Sequence, residues 1–224
     1  MPIGGYVIFL LAIPLEFLVV VALFRGPLRD YRIAFAYSLA LFGCGILEAL
    51  SYLGVGISKS HYSNIYWSDD IILHGLVILV VVSLMRTALR GASSLLPRVL
   101  LLGAVGFAVG SMYVYYSPTL GRWMTPVSRN LSFCEEVLNL VLWAILVRQE
   151  DHDLTLLLVS AGLGIQVTGE VIGHTLRLYS QSRSVVWIPD VLTNMAQFSC
   201  LLIWIWAFHR ARQAPPAIAS APAI

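Results

Sequence analysis

Seven continuous apolar stretches, each roughly 20 residues long, constrain this chain more than any other feature of its sequence. The stretches cover residues 3–24, 33–57, 67–89, 98–116, 128–148, 154–178 and 186–208. A helix needs about 20 mostly apolar residues to cross the hydrocarbon core of a bilayer. Lipid offers the backbone no hydrogen bonds, so only helices or closed barrels cross it, and barrel strands would alternate polar with apolar residues. We therefore predict an all-α polytopic membrane protein with seven transmembrane helices.

The charge content agrees with a chain that lies mostly in lipid. Charged residues make up 12% of the chain and hydrophobic residues 58%, whereas soluble domains carry about 25% charged residues. The net charge of +2 gives no reason to expect nucleic acid as a partner. The first stretch has no positive n-region and no small-residue cleavage pattern, so we interpret it as a retained helix and not as a signal peptide.

The positive residues fall unevenly on the two sides of the predicted bundle. One side carries Arg25, Arg29, Arg32, Arg86, Arg90, Arg98, Arg148, Arg210 and Arg212. The other side carries Lys59, Arg122, Arg129, Arg177 and Arg183. The positive-inside rule places the richer side in the cytoplasm and the N-terminus outside. Residues 1–212 then form the seven-helix transmembrane domain, and the Pro-rich residues 213–224 form a disordered cytoplasmic tail.

Polar and ionisable residues recur within the outer halves of the predicted helices. The candidate ligand-binding or proton-handling residues are Glu48, Asp70, His74, Glu135, Glu170, His174, Asp190 and Asn194. Ionisable groups inside a span are costly and mark functional sites by default. At about 1.5 Å per residue, they share one layer of the bundle. We predict a polar pocket that opens outward above an apolar floor, in which Glu16 is the exception. The alternative is that these groups only join helices to one another.

Two histidines are the residues of this layer best suited to a metal. Glu170 and His174 are four residues apart and share a helix face, so Glu170 is a candidate to orient the imidazole, and Arg177 lies one turn further on. His74 on the third helix is placed to meet this face. A metal site would use His74, His174 and Glu170. Because no HxxxH or HExxH motif is present, we predict no cofactor and keep zinc or haem as alternatives.

Several features recur at an offset of roughly 120 residues. Glu48 and Glu170 are 122 apart, while Asp70 and Asp190, and His74 and Asn194, are 120 apart. This spacing suggests two parallel three-helix units, helices 1–3 and 5–7, joined by an inverting fourth helix. Parallel repeats of this kind are a known transporter plan, with the site between the repeats. Coincidence is the alternative, because arginine and tryptophan favour helix ends in any membrane protein.

Comparison with known seven-helix families limits which cofactors and functions we expect. A retinal protein needs a lysine on its last helix, and the only lysine here is Lys59, which we predict in a loop, so retinal is excluded. The Pro-Gln motif of SWEET sugar transporters is missing. The seven-helix zinc hydrolases that include alkaline ceramidases and adiponectin-type receptors use three membrane histidines, and the predicted helices here contain two.

The order Tyr66-Trp67-Ser68-Asp69-Asp70 at the predicted start of the third helix is the most distinctive local pattern. Together with Ser128-Arg129-Asn130-Leu131 at the predicted start of the fifth, it resembles a group of short, uncharacterised bacterial seven-helix proteins. The resemblance covers most of the chain and implies a bacterial inner-membrane protein, but it implies no activity.

These observations favour a non-enzymatic ligand-binding, sensory or accessory module with an outward-facing polar pocket. The partners that we expect are the lipid bilayer and, for signalling, a membrane or cytoplasmic protein. The alternatives left open are a small-solute or proton-coupled transporter, a metal-dependent membrane hydrolase, and a structural subunit of a larger complex. The last would use glycine-rich faces on the fourth and sixth helices, which permit close packing inside or outside the chain.

Overall fold

The computed structural model of the protein describes residues 3–26, 28, 30–52, 59–89, 95–117, 120–149, 153–179 and 187–213, with side chains from Leu11 onward in the first helix. The described residues form seven α-helices and contain no strand, which confirms the all-α prediction for this part of the chain. The predicted tail lies outside the described residues from position 214 onward. Arg29, Arg90 and Arg183 of the orientation argument also lie outside them.

The helices are α1 (Ile3–Arg25), α2 (Arg32–Tyr52), α3 (Lys59–Ala88), α4 (Leu95–Val114), α5 (Leu120–Val147), α6 (Leu154–Tyr179) and α7 (Trp187–Gln213). Six of them, α2 to α7, are long and apolar enough over their described residues to cross a membrane. The chain is thus an integral membrane protein by the length and composition of its helices. A seventh span, at α1, stays a prediction, as does the orientation.

Two helices begin eight residues earlier than the sequence predicted, at Lys59 instead of 67 and at Leu120 instead of 128. Lys59 therefore opens a helix and does not lie in a loop, and Trp67 and Ser128 lie inside their helices. Hydropathy marks only the apolar part of a helix, so the polar start of α3 was not visible. In α5, Pro126 lies inside the helix, and membrane helices tolerate proline where neighbouring groups satisfy the freed carbonyl. Conversely, α7 ends later than predicted, at Gln213.

Six helices form a ring, and α4 lies outside it. Going round the ring, the neighbours are α1, α2, α3, α5, α6 and α7, which returns to α1; α3 also touches α6 across the interior. Within the described residues, α4 contacts α3 and α5 alone, and its buried residues Pro97, Ala104 and Ser111 form a single stripe seven residues apart. Most other residues of α4 are apolar and many of them are exposed, which is typical of a lipid-facing helix.

The ring has matching neighbours in its two halves. The contacts of α1 with α2 and of α2 with α3 correspond to those of α5 with α6 and of α6 with α7, and α3–α5 corresponds to α7–α1. Side-chain contacts between α3 and α5 advance together along both helices, from Asp70–Ser128 to His74–Glu135, so these two run parallel. This arrangement is what two parallel three-helix units require, but the repeat itself stays a prediction.

The two glycine-rich faces differ in what they touch. On α6, a Cβ at Gly169 would lie 2.2 Å from the Cβ of Ala196, and one at Gly173 would lie 2.3 Å from the Oγ1 of Thr193. Glycine here lets the backbones of α6 and α7 approach closely. On α4, nothing described lies within 4 Å of a Cβ placed at Gly103, Gly106 or Gly110. The sixth-helix face thus packs inside the chain.

Toward the end of the bundle at which α3 and α5 finish, the interior is apolar. We call this part, around Val81, Met85, Leu142, Trp204 and Phe208, the apolar half. Trp204 is 1% exposed, lies with its ring 5.9 Å from those of both Tyr37 and Phe208, and donates its indole N–H to the backbone oxygen of Val159 at 3.0 Å. This half is held by close packing.

Candidate functional site

A polar cavity of about 200 Å³ lies inside the ring, bordered by α1, α2, α3, α6 and α7. Seven of the eight residues that the sequence singled out line it: Glu48, Asp70, His74, Glu170, His174, Asp190 and Asn194. The eighth, Glu135, stands behind His74 and contacts it directly. The structure therefore brings the predicted polar layer into one place. We call the part of the bundle around this cavity the cavity half.

The contact between His74 and Glu135 joins α3 to α5 at the centre of the site. The Nδ1 of His74 is hydrogen-bonded to the Oε1 of Glu135 at 3.0 Å, and both side chains are almost fully buried. The Nε2 on the other side of the ring lies 3.8 Å from the Oδ2 of Asp70, one helical turn earlier on α3. The hydroxyl of Ser128 on α5 donates a hydrogen bond to this same Asp70 oxygen. Two acids thus flank one imidazole.

His174 is buried beside His74 but is not held by Glu170. The two imidazole rings are 6.3 Å apart between centroids. The carboxylate of Glu170 instead accepts a hydrogen bond at 3.0 Å from the amide of Gln166, which also donates to the hydroxyl of Tyr37 at 2.6 Å. The suggestion that Glu170 orients His174 finds no contact among the described residues. Residues four apart on a helix are neighbours, so Gln166 and His174 both lie next to Glu170. The Gln166 amide, and not the imidazole, binds the carboxylate.

Arg177 binds Asp190 near the more exposed end of the cavity. Its guanidinium lies 2.6 Å from the Asp190 carboxylate, with side chains 29% and 19% exposed, and a second nitrogen donates to the hydroxyl of Tyr66 at 3.3 Å. This contact ties α3, α6 and α7 together close to the end of α6. The sequence places Arg177 one turn beyond His174 on the same helix, whereas its hydrogen bonds are to Asp190 and Tyr66.

Glu16 belongs to the cavity and is not an isolated acid in the apolar floor. Its side chain lines the cavity, is 2% exposed, and accepts a hydrogen bond at 2.7 Å from the amide of Gln197 on α7. The other carboxylate oxygen would lie 2.9 Å from a Cβ at Gly45, so glycine at that position leaves room for the acid. From the sequence, we assign each residue a depth by counting residues from the predicted end of its helix. This count misplaces Glu16, because it assumes that all helices begin at the same depth in the membrane.

Glu135 and Glu136 face different parts of the molecule. Glu135 is 0% exposed and reaches His74, whereas Glu136 borders a shallow groove on the outer side of α5, α6 and α7. Neighbouring positions on a helix point about 100° apart, which accounts for the difference. The pair therefore offers a matched comparison between a cavity acid and an acid that lies elsewhere.

Two sets of three side chains in this site bring potential metal ligands within 4.8 Å of one another: Asp70, His74 and His174, and His74, Glu135 and Glu170. His74 is common to both. Glu170 and His174, which the sequence grouped in one metal site, fall into different sets among the described residues. The imidazoles and carboxylates present suit a first-row transition metal such as Zn²⁺.

Several buried polar atoms of the site have no hydrogen-bond partner among the described residues. They include the Oε2 atoms of Glu16 and Glu135, the Nε2 of His74 and the Nδ1 of His174. A buried polar group left without a partner costs about 1–3 kcal/mol, so such groups call for an explanation. A cavity that binds water or a ligand supplies one.

Sequence reasoning missed part of the site. The sequence gives no indication of Tyr37, and Ser128 stands out only in the family resemblance, because a hydroxyl in an apolar stretch gives no charge signal. Asp69 and Cys44, which interact with each other, also line the cavity. Asp69 was visible as the neighbour of Asp70, and its acidity was the signal that could have found it.

Comparison of the chain with protein-family models, with curated proteins and with solved structures finds no match.

Proposed function

We propose that this protein is a seven-span membrane protein that binds a small cation in its interior cavity, as a ligand-binding, sensory or accessory module. The observation that carries the proposal is the charge of the cavity wall. Six lining residues are acidic: Glu16, Glu48, Asp69, Asp70, Glu170 and Asp190. Among the described lining residues, Arg177 is the one arginine, and its guanidinium is already bound to Asp190.

Clustered acids with a single, already paired arginine favour a bound cation or bound protons. Burial in a low-dielectric interior makes uncompensated negative charge costly, so acids that are not neutralised by protein must be protonated or must bind positive charge. Glu16 adds a second reason, because its buried Oε2 has no described hydrogen-bond partner and borders the cavity. The same wall disfavours anionic ligands.

The size of the cavity limits the ligand to a small solute or ion. About 200 Å³ is well above the ~10–15 Å³ that one water needs, and below the ~300–1,000 Å³ of sites for drug-sized molecules. Small alkylammonium ions and metal ions, with or without water, meet this limit. With the N-terminus outside, as the arginine distribution predicts, the cavity opens to the outer side of the membrane.

Binding of small cations to purified protein in nanodiscs tests the proposal. Thermal unfolding is followed with methylammonium, ethylammonium and divalent metal ions, and with uncharged and anionic solutes of similar size. We expect cations alone to raise the unfolding temperature saturably, because a ligand that binds only the folded state stabilises it.

Two variants localise the effect. Glu48→Gln combined with Glu170→Gln removes two lining acids. We expect it to raise the cation concentration needed for half-maximal stabilisation at least tenfold. Glu136→Gln removes an acid that faces the outer groove and should leave the stabilisation unchanged. Equal stabilisation by cations and uncharged solutes, or an equal loss in both variants, would contradict a cation site in this cavity.

Transport is the second candidate function, and the matching neighbours in the two halves of the ring favour it. A cavity between two parallel three-helix units is where such transporters place their site. Uptake of a radiolabelled alkylammonium ion into proteoliposomes, with and without a proton gradient, distinguishes a transporter from a binding module. Uptake that Glu48→Gln and Glu170→Gln both leave intact would rule out the transport role of these acids.

A further inference from the structure

We propose that the cavity holds a divalent transition-metal ion of the Zn²⁺ class, bound by Asp70, His74 and His174 with His74 oriented by Glu135. This inference rests on the proposed function, because it names the cation that the acidic cavity takes. It differs from the metal site expected from sequence, in which Glu170 was the carboxylate ligand.

The imidazole nitrogens are the first observation that supports this site. His74 and His174 are 4% and 6% exposed, and the Nε2 of His74 and the Nδ1 of His174 have no hydrogen-bond partner among the described residues. Buried imidazole nitrogens with nothing to bond are rare in proteins, and binding a metal satisfies them. Both residues border the same cavity.

The spacing of the ligand atoms is the second observation. The Nε2 of His74 lies 3.8 Å from the Oδ2 of Asp70, and all three residues offer ligand atoms within 4.8 Å of one another. Two ligands about 2.0–2.2 Å from a tetrahedral ion are about 3.3–3.6 Å apart, so a metal would draw these atoms together by up to about 1.5 Å. Three protein ligands leave the fourth position of such an ion to a water or a solute from the cavity.

The surroundings of His74 and Asp70 resemble the support that metal ligands usually have. A ligating histidine commonly donates its other ring N–H to a carboxylate, which fixes the tautomer and the direction of the ring. The contact from the Nδ1 of His74 to Glu135 has this geometry, and in the tautomer that donates from Nδ1 the Nε2 lone pair faces Asp70. Ser128 holds the Asp70 carboxylate from α5 in a similar way. Glu135 and Ser128 are thus positioning residues.

The donor set selects the class of metal. Ca²⁺ and Mg²⁺ are bound by oxygen ligands, whereas two imidazoles with a carboxylate suit Zn²⁺, Co²⁺, Fe²⁺ or Mn²⁺. The three ligands come from two helices, α3 and α6, which touch across the centre of the ring. A bound metal would therefore clamp the two sides of the bundle together.

Titration of the metal-free protein in nanodiscs with Co²⁺ tests the inference, because four-coordinate Co²⁺ with nitrogen ligands gives strong visible absorption. We expect about one Co²⁺ per chain, displaced by Zn²⁺ but not by Mg²⁺. His74→Gln, His174→Gln and Asp70→Asn should each weaken binding at least tenfold. Glu135→Gln should weaken it about 10–100-fold while leaving the ligands in place.

His209→Gln is the matched control. His209 lies exposed on α7, so this substitution removes only adventitious surface binding. Its Co²⁺ spectrum should equal that of the wild type. Thermal unfolding of every variant without metal identifies any variant that fails to fold. The Co²⁺ spectrum of the wild type tests for a metal site even if a variant does not fold. If Co²⁺ produces no saturable spectrum while alkylammonium ions still stabilise the protein, the metal site is wrong and the cation cavity stands. A spectrum that His74→Gln, His174→Gln and Asp70→Asn all leave unchanged overturns the assignment of these ligands.

Discussion

The cavity half and the apolar half of this bundle are built from the same helices but satisfy different requirements. Around Trp204 and Phe208, buried aromatic and aliphatic side chains pack against one another and the indole N–H has a backbone partner. Around His74, buried side chains are acids and imidazoles, and several of their atoms have no described partner. Close packing stabilises a fold, whereas unsatisfied buried polar groups work against it.

If the cavity binds a ligand as proposed, stability and function depend on different halves of the bundle. Apolar residues of similar volume are often as stable as buried acids, so binding explains the burial of Glu16, Glu135 and Glu170 better than stability does. We therefore expect substitutions in the apolar half to reduce stability, and substitutions in the cavity half to change ligand binding more than stability.

The largest expected effect is that of Trp204→Ala in the apolar half. Removing this buried side chain creates a void and frees the carbonyl of Val159, so we expect a loss of about 3–5 kcal/mol in the free energy of unfolding. Reversible unfolding in mixed micelles measures it. Trp206→Ala, at a residue 52% exposed on the same helix, is the control and should cost far less. Equal losses for the two tryptophans would show that the apolar half is not packed as described.

Replacement of one partner in the His74–Glu135 contact should have the next largest effect on stability. Glu135→Leu leaves the Nδ1 of His74 without a partner, and we expect a loss of at least about 1–3 kcal/mol. The double variant with His74→Leu as well removes both polar groups and should recover most of that loss, while it abolishes binding of Co²⁺. If the double variant loses the sum of the two single losses, the residues do not interact.

Gly169→Ala tests the close approach of α6 and α7 that frames the cavity. The added methyl would lie 2.2 Å from the Cβ of Ala196, so one helix must move, at a cost of about 1–3 kcal/mol. Ala196→Gly in the same chain removes the obstruction and should restore much of the stability. The control is Gly106→Ala on α4, where a Cβ meets nothing described within 4 Å. A loss at Gly106 as large as that at Gly169 would contradict the packing.

The smallest stability effect belongs to the Arg177–Asp190 pair at the exposed end of the cavity. Solvent-exposed ion pairs contribute about 0.2–1 kcal/mol and buried ones more, so we expect Asp190→Asn, at a pair whose side chains are 29% and 19% exposed, to cost about 1 kcal/mol. The freed guanidinium then adds uncompensated positive charge to the cavity wall. We therefore expect weaker binding of alkylammonium ions, measured by their stabilisation of the protein, and unchanged binding would contradict the electrostatic account.

The sequence predicted the helices far better than it predicted their contacts. Hydropathy identifies a span without any knowledge of its neighbours, so the seven helices were found, with errors where α3 and α5 continue beyond their apolar parts. It does not show which face of a helix turns inward, because lipid and protein interior are equally apolar. The polar residues were therefore recognisable, but the partners were not: Glu135 bonds His74, and Glu170 bonds Gln166. Tyr37 and Ser128 carry no charge and gave no signal.

The contact of His74 on α3 with Glu135 on α5 can be measured directly in a lipid bilayer. Solid-state NMR of protein labelled with ¹⁵N-histidine resolves the imidazole nitrogens, and His74→Gln identifies the His74 signals by their loss. We predict that Glu135→Gln shifts the Nδ1 signal of His74 and that Glu136→Gln, one residue further along the same helix, does not. Signals of His74 that ignore both substitutions, or respond equally to them, would contradict a site assembled from these helices.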